Sequence, residues 1–363
     1  MDDAAPGPGG AWQGFQDLMP WRVQDILLVS SLYDAFTLQE DGQLNELLLG
    51  EVLDLHLHHT PGITHVSSGG EALALARRQP RFNLIVTAIQ TGDMDATELA
   101  RQVRAAGLDV PVVVLAYDER ELNEFVAGGE SPGIERCFLW QGNARILIAI
   151  VKAIEDQRNA AHDTRTTGVR VILLVEDSIR FYSAFLPTIY TEIIRQSERL
   201  MSEGMNLSHK LVRLRARPKI LLCTTYEEAW ERFLAYRDHL LGIITDVEFP
   251  RRGRRSPEAG FELARMARAA VPDLPIVFHS SRPEFAARAA AVGAPFLLKG
   301  SDTVLHDLRR VLAEQFAFGD FVFRLPDGGE VDRARDLKTL EEKLHTVPAE
   351  SIGFHAERNH FSN

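Results

Sequence analysis

Three carboxylates, a hydroxyl and a lysine in the second half of the chain have the types and spacing that phosphoryl chemistry needs. Glu176 and Asp177 follow the run VILLV, Asp246 follows GIIT, Ser280 follows PIVFH and Lys299 follows PFLL. Each run is short and nearly continuous in apolar residues, so it reads as a buried strand with its polar residue at the carboxyl end. In an open parallel sheet, ligands gather outside those ends. Carboxylates that converge there repel one another unless a cation neutralises them, and hard oxygen donors with open water positions suit Mg²⁺. A lysine and a hydroxyl beside an aspartate can orient a transferred phosphoryl and stabilise its charge. The chemistry implied is Mg²⁺-dependent phosphoryl transfer onto Asp246.

These ends need a sheet to position them. VILLVEDS (171–178), KILLCTT (219–225), GIITDVEF (242–249), PIVFHSS (275–281) and PFLLKGS (295–301) are strand signals with helices between. The first half shows the same order: Asp25–Val29, Thr64-His65-Val66, Leu84–Thr87, Val112–Leu115 and Arg136–Leu139 alternate with stretches such as GEALALARR and ATELARQVRAAG. The apolar residues of those stretches recur at three and four, as in a helix. ILLVSSL against ILLVEDS, and PVVVLAY against PIVFHSS, mark the halves as diverged copies, which means tandem domains rather than a solenoid. The fold class expected is α/β, with two doubly wound (βα)5 domains on central five-stranded parallel sheets and a short C-terminal extension. The boundaries read as a flexible lead-in over 1–21, a first domain over 22–155, a polar linker over 156–168 without apolar periodicity, a second domain over 169–318 and an extension over 319–363.

The second domain resembles the response regulator receiver domain of two-component signalling. Glu176-Asp177 matches the acidic pair that binds metal in that family, and Asp246, in TDVEFP, matches its phosphoacceptor. Ser280 stands at the switch hydroxyl, Lys299 at the lysine and Phe296 at the switch aromatic. The resemblance covers about 169–318 and implies that the backbone carbonyl of Glu248 joins Glu176, Asp177 and Asp246 around Mg²⁺. It also implies a histidine kinase or a small-molecule phosphodonor as partner, and a surface that changes on phosphorylation. One departure is the turn from Pro250 to Gly260, which is longer than the family's and carries Arg251, Arg252, Arg254 and Arg255. It reads as a solvated mobile loop or as a dock for an acidic partner.

On the same frame the first domain has Ser30-Ser31 for the acidic pair, Ala88 for the phosphoacceptor, Ala116 for the hydroxyl and Gln141 for the lysine; Phe138 alone is kept. Alanine carries no nucleophile and serines do not neutralise Mg²⁺, so this half resembles a pseudo-receiver suited to packing or partner binding. Asp93 and Asp95 lie in the turn after Ala88 and read as residues that solvate or cap it.

Between its first two strands the second half carries a long stretch, 179–215. Phe185, Leu186, Ile189, Tyr190, Ile193, Ile194, Leu200 and Met201 keep helical spacing there, and Gly204 and Asn206 interrupt it. It reads as an amphipathic helix on its own domain or as an antenna that pairs with a second chain into a homodimer. After Phe318, FGDFVFRLPDGGEV reads as a hairpin, DLKTLEEKLHTV as a helix, and SIGFHAERNHFSN as aromatic and histidine residues without an obvious core. This extension resembles the segment that joins receivers to a phosphoenolpyruvate synthase or pyruvate phosphate dikinase-like region, which implies a further C-terminal domain.

Competing classes are narrowed by composition. Among 363 residues, 40 Lys+Arg face 51 Asp+Glu, a net charge of −11, which argues against direct binding of nucleic acid. Hydrophobic residues at 45% match a packed globular chain rather than a disordered one. Cys137 and Cys223 lie in apolar runs and read as buried thiols of a reducing compartment. The N-terminal MDDAAPGPGGAWQGF lacks the basic and apolar regions of a secretory signal, and RILIAIVKAI is too short to span a bilayer, so a cytoplasmic protein off the membrane is expected. No glycine-rich nucleotide loop occurs, so no kinase or synthase activity is expected, only self-phosphorylation and dephosphorylation. A haloacid dehalogenase-like phosphohydrolase also uses Asp, Ser/Thr, Lys and Mg²⁺, and Glu248 stands two residues after Asp246, where its acid would be. That class takes its second acidic pair after the lysine, whereas Glu176-Asp177 precedes the nucleophile.

Overall fold

In each half of the chain, five apolar runs pair side by side into a parallel sheet. The structure is a computed structural model that describes residues 17–34, 61–129, 131–199, 215–316, 320–335 and 337–357. By compactness it falls into two units, one holding the described residues of Trp21–Arg158 and Ser178–Pro187, the other those of Met1–Pro20, Asn159–Asp177 and Thr188–Asn363.

The first sheet is built from β1 (Asp25–Val29), β2 (Gly62–Val66), β3 (Phe82–Thr87), β4 (Val112–Ala116) and β5 (Ile134–Leu139), in the order β2-β1-β3-β4-β5. Helices α1 (Gly69–Arg78), α2 (Ala96–Ala105), α3 (Glu119–Ala127) and α4 (Arg145–Thr167) follow its strands. Local polar residues set where these helices start: Ser68, Asp95 and Asp118 each accept a backbone N–H of the first turn. Asp95 caps the helix that follows its turn, whereas Asp93 reaches back to α1, accepting Gly69 N at 2.7 Å and Gly70 N at 2.9 Å.

The second sheet repeats the plan. Its elements are β6 (Val171–Val175), α5 (Ile179–Arg199), β7 (Lys219–Cys223), α6 (Tyr226–Tyr236), β8 (Leu240–Asp246), the short β9 (Phe249–Arg251) and β10 (Arg254–Ser256), α7 (Ala259–Ala270), β11 (Ile276–Ser280), α8 (Phe285–Ala291), β12 (Phe296–Leu298) and α9 (Val304–Gln315). The order is β7-β6-β8-β11-β12, and every neighbouring pair is parallel. Every residue of β6, β8 and β11 is buried, as strands covered on both faces must be. Phe233, Phe249, Phe261 and Phe278 fill the core with Val171, Leu173 and Val175. In both sheets the chain steps to opposite sides of the first strand, which opens a crevice at the carboxyl ends of the first and third strands.

Several local expectations need correction. Asp156–Thr167 is no irregular linker but the second half of α4. Its inward positions Asp156, Asn159, Asp163 and Thr164 are polar yet buried, so the helical period is present without apolar residues to reveal it. The lead-in is not loose to its end: Leu18 and Met19 are buried, and Met19 N donates to Asp163 Oδ1 at 2.9 Å. In α5, Phe185, Leu186, Ile189, Tyr190, Ile193 and Ile194 are all at most 1% exposed. Leu200, Met201, Gly204 and Asn206 lie outside the described residues. The Pro250–Gly260 turn is a β-hairpin rather than an irregular loop.

The extension folds as β13 (Phe321–Arg324) paired antiparallel with β14 (Glu330–Ala334), then α10 (Leu337–Leu344) and α11 (Ala349–Glu357). Its aromatic and histidine residues do have a core: Phe323 is fully buried, and His355 Nε2 accepts Arg324 N at 2.8 Å and stands edge-on to Phe323. Both cysteines are free thiols, and burial pushes the Cys137 thiol up to about 11. Among the described residues no helix is long and apolar enough to cross a membrane.

Candidate functional site

At the carboxyl ends of β6, β8, β11 and β12, side chains from separate strands converge. Asp246 ends β8, only 3% exposed, and Glu176 follows β6, fully buried. Lys299, the residue after β12, places Nζ 2.6 Å from Asp246 Oδ2 and 2.6 Å from Glu176 Oε2. Burying two carboxylates costs free energy unless a cation sits between them, and here the ammonium does so. The other oxygen of Asp246, Oδ1, accepts the backbone N–H of Val247 at 2.6 Å and of Glu248 at 3.3 Å. The carboxylate is thus held from both sides.

Backbone register fixes this arrangement. His279 is paired with Asp246 across β8 and β11, its carbonyl accepts Val247 N at 3.1 Å, and the Ser280 carbonyl accepts Lys299 N at 2.8 Å. Gly260, in the first turn of α7, donates its N–H to Val247 O at 3.0 Å and approaches so closely that a Cβ there would stand 2.2 Å from Asp246 O. Only glycine lets α7 start against the backbone of Asp246 and Val247.

Asp177 points elsewhere than its neighbour. Its Oδ2 pairs with Arg255 Nη1 of the β9–β10 hairpin at 3.0 Å, while Oδ1 is buried with no hydrogen-bond partner among the described residues. Burial pushes the Asp177 carboxyl up, Arg255 pulls it back, and nearby Asp246 pushes it up again. Ser280 is 2% exposed, and its Oγ accepts the backbone N–H of Arg282 at 3.2 Å. Phe296 is half-buried against the core of the second sheet. Glu248 Oε1 is engaged by Arg282 at 3.1 Å.

Sequence reasoning missed His279. It is fully buried with Nδ1 3.4 Å from Glu176 Oε2, and burial, followed by the charge of Lys299, lowers its pKa well below the ordinary range, so the ring is neutral. Among the described residues, Glu176, Asp246 and His279 are the group whose ligand atoms lie within 4.8 Å of one another. A histidine in the middle of PIVFHSS reads as core, and only its strand neighbours on the sheet reveal that it abuts an acid. For Mg²⁺ the donors present fit: Glu176, Asp177 and Asp246 supply hard oxygens, and the orphaned Asp177 Oδ1 is an acceptor that a cation would satisfy.

The matching positions of the first sheet hold no such groups. Ser30 is buried, Ser31 bonds Asp34 at 2.8 Å, Ala88 and Ala116 are buried, and the Gln141 amide donates to Arg180 O at 2.8 Å. Phe138 is fully buried, edge-on to Tyr182.

No protein-family model matches the chain, and no curated protein matches it. Among solved structures it is similar to a probable two-component system response regulator/GGDEF domain protein, at 15% identity over 81% of this chain and 98% of that one, with a TM-score of 0.31. It is also similar to the phosphorylated cyanobacterial phytochrome response regulator RcpA, at 22% identity over 37% of this chain and 91% of that one, TM-score 0.27. A GsuK channel is matched at 14% identity over 81% of this chain and 69% of that one, TM-score 0.24. Likeness at this level carries no weight on function. The α/β class rests on the two five-stranded parallel sheets themselves.

Proposed function

We propose that residues 169–318 form a receiver domain that accepts a phosphoryl on Asp246. One observation carries the reading: Asp246, Glu176 and Lys299 meet within 2.6 Å contacts at the carboxyl ends of three different strands. In the step proposed, an Asp246 carboxylate oxygen forms a bond to phosphorus as the donor's P–N or P–O bond breaks, and the donor's imidazole or acetate leaves with that electron pair. The product is a mixed anhydride. Lys299 stays beside Asp246 and pairs with the added charge. Mg²⁺ bound by Glu176, Asp177, Asp246 and the Glu248 carbonyl would offset repulsion between these carboxylates and the arriving phosphoryl. A histidine kinase or a small phosphodonor such as acetyl phosphate would supply the group.

The readout proposed is a change of surface. Ser280 Oγ, which now accepts only a loop N–H, would turn to the phosphoryl and leave space for Phe296. The first unit, with serine and alanine in the matching places, would act in packing or docking without chemistry. Glu248, the acid that a phosphohydrolase would need, is ion-paired with Arg282.

Intact mass after acetyl phosphate and Mg²⁺ tests this reading. One adduct of about 80 Da is expected, absent with chelator and absent in Asp246→Asn. An adduct that persists in Asp246→Asn, or that maps before residue 169, would overturn the assignment. For Ser280→Ala the expectation differs: phosphoryl uptake continues, but the amide spectrum responds far less to beryllofluoride. An unchanged response would exclude Ser280 from the switch.

A further inference from the structure

The β9–β10 hairpin is anchored at several points. Its two-residue connection, Arg252-Gly253, has φ of 51° and 71°, the paired positive values that a tight I′ hairpin uses. Phe249 is fully buried, Arg251 is ion-paired with Glu262, and Arg252 N donates to Glu227 Oε1 at 3.0 Å. Hydrogen-bonded pairing then sets Arg255 opposite Pro250. From that place its guanidinium reaches Asp177, one of the carboxylates that would hold metal.

We infer that Arg255 competes with the divalent cation for Asp177, and so sets the concentration of metal at which the site loads. This rests on the receiver reading of the same site. A guanidinium on Asp177 Oδ2 and a divalent cation on Oδ1 of the same carboxylate repel each other, so the Arg255 contact weakens loading and loading weakens the Arg255 contact. The Arg255 side chain is 62% exposed and that of Asp177 18%, so water solvates the released arginine cheaply and the exchange is reversible. The hairpin thereby tunes the site without closing it. For a pair this exposed, the competition is worth about five-fold in metal affinity at most.

Binding of Mn²⁺ to the full chain, followed by the electron paramagnetic resonance of the free ion, reads this without any phosphodonor. Arg255→Ala should bind Mn²⁺ more tightly than the parent, by up to about five-fold, and Asp177→Asn should abolish binding in both backgrounds. Arg254→Ala removes the same charge from the same strand without the Asp177 contact, and should leave affinity nearly unchanged. Equal affinities for the parent and Arg255→Ala, with binding still lost in Asp177→Asn, would overturn the competition and leave the metal site standing. Equal tightening by Arg254→Ala would replace the contact by diffuse charge, which also overturns it. Absence of Asp177-dependent binding in every variant would instead remove the metal from the receiver reading, and this inference with it.

Discussion

Replacing Lys219 by alanine is expected to cost the second unit about 3–5 kcal/mol of folding free energy, the penalty for stranding one partner of a buried ion pair. Lys219 begins β7 and is fully buried, with Nζ 2.9 Å from Asp163 Oδ2 and donating to Arg215 O at 3.0 Å. Asp163, also fully buried, uses Oδ1 to hold Met19 N. The lysine therefore compensates a carboxylate that itself ties the lead-in to α4. Without the ammonium, the fully buried Asp163 Oδ2 loses its cation, and the loss is a large share of the roughly 5–15 kcal/mol that keeps a domain folded. Removing both charges together, as Lys219→Met with Asp163→Leu, should recover part of the loss, because an apolar pair can replace a buried ion pair at little cost, while Met19 N is left without its acceptor. Urea midpoints of the single and double variants measure this. A Lys219→Ala midpoint equal to the parent's would show that the pair contributes nothing.

Gly260→Ala is the second substitution with a large expected effect, and two opposed terms decide its sign. Helix propensity favours alanine by about 1 kcal/mol. Against this, the new Cβ would stand 2.2 Å from Asp246 O and 2.9 Å from Val247 Cα, both backbone atoms that a rotamer change cannot move. Overpacking of this kind typically costs about 1–3 kcal/mol, so the net effect is destabilising. The shift needed to relieve it also falls on the strand end that carries Asp246, the proposed phosphoryl acceptor. The variant should unfold at lower urea and take up phosphoryl from acetyl phosphate at least ten-fold more slowly. Gly353→Ala provides the contrast, since Gly353 lies in α11 with open space at its Cβ and should gain up to about 1 kcal/mol. Full stability and full uptake in Gly260→Ala would contradict the close approach.

Much of the second sheet was legible because its strands are apolar on both faces and its polar residues stand where those runs stop. VILLV, GIIT and PFLL need no partner to be recognised, and Glu176, Asp246 and Lys299 stand directly after them. His279 was not legible. Its neighbours in sequence are Phe278 and Ser280, while the groups that define its role, Glu176 and Lys299, come from other strands. Arg255 is a similar case. A run of arginines after a proline reads as solvated, and only the pairing of Arg255 with Pro250 and the anchors around it aim this one at Asp177.

By itself, then, the sequence determined the α/β class, most of the order of strands and helices and the strand ends where Glu176, Asp246 and Lys299 stand, because burial on two faces writes itself as continuous apolar runs and caps are local. The tertiary structure alone decided that Asp156–Thr167 is helix, that Lys219 is interior and that α5 is covered. Those outcomes depend on polar groups that become buried only when a distant partner neutralises or hydrogen-bonds them, as Lys219 does for Asp163, and no periodicity along the chain records the position of that partner.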